Sequence, residues 1–163
     1  MSVTDQLLAN NAAFAAAFDR AHLAVQPSKK LAIVACMDSR LDVFGALGLG
    51  HGEAHVIRNA GGVVTEDTIR SLTISQRKLG TQEIVLIHHT DCGLDGLDDG
   101  AFKREIEAET GARPQWPDDT FTDLDADVRE SIRRIRASPF IPHTESVRGF
   151  VYDVDTGRLR EVS

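Results

Sequence analysis

Residues 31–40 read Leu31-Ala32-Ile33-Val34-Ala35-Cys36-Met37-Asp38-Ser39-Arg40, an apolar run that breaks abruptly into a thiol, a carboxylate and a guanidinium. Such a run reads as a buried strand, and an open α/β sheet places its reactive groups just past the carboxyl ends of its strands. Residues 83–92 repeat the pattern: Glu83-Ile84-Val85-Leu86-Ile87-His88 runs into His89 and, three positions on, Cys92. The chain has two cysteines, and each sits just past one of these runs. Two thiols and an imidazole gathered at strand ends form a zinc constellation.

Working outward, residues 5–21 are rich in Ala and Leu without Gly or Pro and predict a helix, with an apolar surface at Phe14 and Phe18 that packs on something beyond its own turn. Residues 30–35 predict the first strand, 41–49 a short helix ending at Gly50, 55–58 a second strand, and 59–62 a tight glycine turn. The amides of that turn are placed to help hold an anion. Thr65 caps a helix with Glu66 and Asp67 in its first turn, where the dipole favours acids, and Gly80 stops it. The third strand is 83–88, and 98–110 is a charged helix. Phe121, Leu124, Val128, Ile132 and Ile135 follow at spacings of three, four, four and three, which is one face of a helix that Pro139 ends. A fourth strand over 147–154 and a turn at 155–157 lead to a last strand over 159–162. Strands alternating with helices imply a single-domain α/β fold, with a mostly parallel sheet, right-handed crossovers and an antiparallel edge from the final hairpin.

At 163 residues the chain is long enough for one domain that buries about two-thirds of its unfolded surface. A net charge of −7 argues against a nucleic-acid partner. No apolar run approaches the ~20 residues of a membrane span. No basic region followed by an apolar stretch opens the chain as a secretory signal would, so the cytoplasm is the default expectation, and reduced thiols fit it.

Three ligands, Cys36, His89 and Cys92, match a catalytic zinc site, which keeps its fourth position for water or substrate. Cys36 and His89 can share an ion only if the first and third strands are adjacent and parallel. Consecutive strand residues point to opposite faces, so one of His88 and His89 faces the site; the spacing to Cys92 selects His89 and leaves His88 a structural role. Other readings stay open: buried thiols as small hydrophobes, a structural zinc with Asp38 as fourth ligand, or a disulfide, which a reducing compartment disfavours. A phosphatase-type nucleophile fails because position 42 is Asp42 rather than arginine. Asp38 and Arg40, two apart, project to the same side in extended backbone, and the guanidinium fork can hold the carboxylate. Either Asp38 closes the metal site, or Arg40 holds Asp38 back and solvent takes the fourth position. His51 and His55 are the nearest candidates for a proton shuttle, though exposed histidines seldom have a special role.

Cys36-Met37-Asp38-Ser39-Arg40, then Arg58-Asn59-Ala60-Gly61, then His89-Thr90-Asp91-Cys92-Gly93 resemble the signatures of beta-class carbonic anhydrases. The resemblance implies one zinc per chain held by Cys36, His89 and Cys92, with Asp38 and Arg40 as a catalytic dyad. It implies a sheet ordered 2-1-3-4 with an edge strand, and a homodimer as the smallest active unit. Residues 1–25 would then be a helical arm lying across the partner subunit. The implied reaction is reversible hydration of carbon dioxide to bicarbonate and a proton. Two rivals are a hydrolase of a carbon dioxide analogue such as carbon disulfide, and a non-catalytic zinc- or bicarbonate-binding module. The Asp38–Arg40 pair argues against a mere binder, which has no need of it.

Overall fold

Leu31–Cys36 forms β1, buried from Ala32 onward, and it is the axis of the sheet. On one side it pairs in parallel with β2 (Ala54–Asn59), on the other with β3 (Glu83–His89). β3 continues in parallel to β4 (Val147–Tyr152), and β5 (Leu159–Val162) closes the edge antiparallel to β4. The order is β2-β1-β3-β4-β5, the predicted 2-1-3-4 with its antiparallel edge. The computed structural model describes residues 2–20 and 22–163.

Alternation along the strands sorts the core onto two faces. Ala32 and Val34 of β1 and Ile84 and Leu86 of β3 meet Ile69 and Leu72 of α3 (Glu66–Leu79) and Ile135 of α5 (Leu124–Ala137). Each such fully buried branched side chain contributes about 1.5–3 kcal/mol. Ile33, Ala35 and Ile87 turn the other way, toward Leu41, Phe121 and Val43 of the short helix α2 (Val43–Leu47). On that face Leu31, Val56, Val85, Tyr152 and Leu159 are only partly buried.

Several boundaries move inward, each for a local reason. The predicted helix over 5–21 is α1, Val3–Ala16; Ser2 and Asp5 form a reciprocal capping box that starts it earlier. It ends early because Asp19 follows, where the helix dipole disfavours a carboxylate, and because Arg20 turns its Nη1 to His51 Nδ1 at 2.9 Å. Ala21 lies outside the described residues. The helix expected over 41–49 shrinks to α2 because Asp42 caps it, accepting from Gly45 N, and Gly48 ends it in the left-handed region. Phe121 lies ahead of α5 rather than on it. Asp123 caps that helix by accepting from Ala126 N, while Phe121 bridges to Asp95 and its carbonyl accepts from Gly96 N at 2.8 Å. β4 stops at Tyr152 because the Asp153 carboxylate takes the amides of Asp155 and Thr156 and starts the turn. α4 (Asp99–Thr110) runs as expected from an Asp98 cap to Gly111.

Candidate metal centre

The carboxyl ends of the adjacent parallel strands β1 and β3 bring Cys36 and His89 side by side, and the loop after β3 returns Cys92 to them. The two sulfurs and an imidazole nitrogen all lie within 4.8 Å of one another, in a group that is buried throughout. His88, one residue earlier, points to the opposite face, where its Nε2 meets the Asp127 carboxylate of α5 and its ring lies 5.6 Å from that of Phe121. Both cysteines are free thiols.

His89 Nδ1 donates to the Thr90 carbonyl at 2.8 Å, which fixes the tautomer with a lone pair on Nε2. That Nε2 is buried and has no hydrogen-bond partner among the described residues. A buried imidazole nitrogen with no partner, aimed at two thiols, carries an appreciable desolvation cost unless a cation completes it. Backbone amides also converge on the sulfurs, those of Asp38 and Gly61 on Cys36 and that of Leu94 on Cys92. The Gly61 amide of the glycine turn is thus one of the groups directed at a sulfur. The Cys36–Cys92 contact, with help from His89, pulls the Cys36 thiol well below its ordinary value. The same contact and burial push Cys92 up, and the Cys36 sulfur beside the ring raises His89. Three groups sharing a deficit of positive charge fit a divalent metal ion of the borderline-soft kind.

The cradle depends on a turn that only glycine fits. Gly62 (φ +70°) is packed so tightly that a Cβ there would lie 2.7 Å from Cys36 N, 3.0 Å from Ala35 C and 3.2 Å from Ile87 O.

Asp38 stands beside the cluster, its Oδ2 3.8 Å from His89 Nε2. Arg40 grips it with Nε to Oδ1 at 3.0 Å and Nη2 to Oδ2 at 2.8 Å, and the Arg40 amide adds a third bond to Oδ1. Those bonds hold the Asp38 carboxyl far below the usual carboxylate range, so it is an acceptor only. Of the two arrangements expected for this pair, the structure has Asp38 in the grip of Arg40. Two contributors lie inside the quoted signature blocks, yet the sequence alone assigns neither a role. Arg58 donates through Nε to the Cys36 carbonyl and through Nη2 to the Asp38 carbonyl, bracing the loop from β2. Asp91 accepts from Arg40 Nη1 at 2.6 Å. His51 and His55 are engaged elsewhere, the first with Arg20 and the second with Ser75 Oγ at 2.8 Å.

Comparison with known proteins agrees with this geometry. Residues 31–100 match the family model described as carbonic anhydrase. Over 163 residues the chain is 58% identical to beta-carbonic anhydrase 1 of Mycobacterium tuberculosis, covering 100% of this chain and 99% of that protein. A solved carbonic anhydrase from Streptococcus mutans superposes with a TM-score of 0.93 at 46% identity, over 100% of this chain and 99% of that one. A carbon disulfide hydrolase of Saccharolobus solfataricus is 35% identical over 157 residues, covering 82% of this chain and 77% of that protein. The chain belongs to the beta-carbonic anhydrase family.

Proposed function

We propose that this protein catalyses the reversible hydration of carbon dioxide to bicarbonate and a proton, with Cys36, His89 and Cys92 holding one zinc ion. The observation that carries the reading is the partnerless Nε2 of His89 set between two thiols beside a carboxylate already claimed by arginine. A zinc ion bound there supplies Lewis acidity that brings a water ligand's pKa toward ~7. The residues do the rest. Asp38, kept ionised and turned by Arg40, accepts a hydrogen bond from the attacking solvent oxygen and aims its lone pair at the carbon. Arg40 keeps Asp38 from serving as a fourth ligand. The two sulfurs, with amides donating to them, would help hold the ion and offset its charge.

The test is metal analysis joined to stopped-flow hydration of carbon dioxide. We expect about one zinc per chain, rapid hydration, and loss of activity on chelation that zinc restores. Zinc-loaded protein that turns over carbon disulfide but not carbon dioxide would refute the reading. The greater identity to a carbonic anhydrase than to the carbon disulfide hydrolase favours carbon dioxide.

The active unit is a homodimer in which α1 lies across the second copy. Every residue of α1 is exposed in the single chain, including Leu7, Leu8 and Phe14, each more than half exposed. A helix that exposes Leu7, Leu8 and Phe14 calls for a partner, and the sheet face carrying Leu31, Val56 and Tyr152 is only partly covered. We expect the chain to elute as a dimer on size exclusion with light scattering, and Leu7→Glu with Phe14→Glu to give monomers. A wild-type monomer would refute this arm. Among the described residues no helix is long and apolar enough to cross a membrane. Free thiols as ligands suit a reducing compartment, and the cytoplasm is our placement.

A further inference from the structure

We infer that Asp91 is a positioning residue for the reaction: its carboxylate and its main-chain carbonyl together clamp the Arg40 guanidinium, so that Arg40 can hold Asp38 in one orientation. The inference rests on the carbon dioxide reading of the site and names a residue that reading leaves unused.

Arg40 makes two sets of bonds. Its Nε and Nη2 face Asp38, while Nη1 donates to Asp91 Oδ2 at 2.6 Å and Nη2 to the Asp91 carbonyl at 2.8 Å. The guanidinium therefore bridges the loop after β1 to the loop after β3, the two loops that bear the ligands. A guanidinium held by one carboxylate can swing together with it as a pair; held at both edges of its plane, it cannot.

Asp91 reaches this position through its backbone. It is one of two non-glycine residues with positive φ among the described residues, at +52°. That left-handed turn is tolerated best by Asn and Asp, and here it accompanies a carbonyl and a carboxylate on the same cation. The Asp91 side chain is 79% exposed, so its contact with Arg40 adds little to fold stability. Its effect is on orientation, one residue away from Cys92.

The test uses the full-length, zinc-loaded protein. Asp91→Asn keeps the size and the left-handed tendency but removes the charge, and Asp91→Gly relieves the turn as well. We expect unchanged zinc content in both. Carbon dioxide hydration should fall about fivefold, the upper range for an exposed ion pair, through kcat rather than KM. The Arg40 Nη signals in nitrogen-15 NMR, separated by slow rotation of the clamped guanidinium, should merge. Adding Asp91→Asn to Arg40→Ala should cost nothing further, since both changes remove the same contact. Wild-type turnover with unaltered Arg40 signals in Asp91→Asn overturns the inference, and so does an undiminished loss in the Arg40→Ala background. Zinc-loaded wild-type protein that hydrates no carbon dioxide overturns the functional reading instead, while the Arg40 signals still decide whether Asp91 holds the guanidinium.

Discussion

Asp38→Ala should lower carbon dioxide hydration by about a hundred- to a thousand-fold while leaving zinc bound. The magnitude is that of removing a single positioned acceptor from a reacting solvent molecule. Asp38 is gripped by Arg40 through both of its oxygens and stands beside the cluster of Cys36, His89 and Cys92 rather than within it, so its loss removes no required ligand. Stopped-flow assays with metal analysis on the same sample decide the matter. Loss of zinc in Asp38→Ala would show that the carboxylate is a fourth ligand and the site structural. Full activity would show that solvent needs no acceptor there.

Gly62→Ala should cost about 3 kcal/mol or more of folding stability, the largest effect expected from one added methyl group in this chain. Holding alanine in the left-handed region costs roughly 1–2 kcal/mol, and overpacking adds about 1–3. The new carbon would meet Cys36 N, Ala35 C and Ile87 O, which are main-chain atoms of the two central strands and cannot turn aside as a side chain could. Relief would need β1 or β3 to shift, and that would also pull Cys36 from His89. Urea unfolding should show a lower midpoint with an unchanged slope, and zinc affinity should fall with it. A midpoint within error of wild type would mean that the turn is not under the constraint described.

The sheet and the metal cluster were legible because both are written in local patterns. The unbroken apolar run of β1 identified a buried strand, and its abrupt end at Cys36 placed the site at the carboxyl edge. The period-two geometry of β3 separated His89 from His88, and the spacing to Cys92 said which of them faces the thiols. The pairing of Asp38 with Arg40 followed from their spacing, but the expected extended backbone is a turn, in which Leu41 N donates to the Asp38 carbonyl at 3.1 Å and Arg40 N to the Asp38 carboxylate. What stayed hidden depends on registers and turns that no short window contains. Arg58 braces the Cys36 and Asp38 carbonyls only because β2 pairs with β1 so that Cys36 lies opposite Asn59. Asp91 reaches Arg40 through a positive φ, which side-chain type permits but does not announce. Phe121 kept the helical spacing of its neighbours, yet its backbone was drawn away to pair with Asp95. α1 carried too little sequence contrast around its circumference for its end to be read from pattern, and the stop came from Asp19 and Arg20.

The separation of the ligands has a consequence for how the protein comes to exist. Cys36 and His89 are more than fifty residues apart, and they meet only once β1 and β3 are zipped together across the crossover through β2 and α3. An unfolded chain offers an ion at best the nearby His89 and Cys92, so tight capture has to wait for the sheet. On the proposed zinc reading, a captured ion would staple the two central strands, and its binding free energy would become part of the folding free energy. Ion supply would then set how long the assembled chain survives as well as whether it turns over.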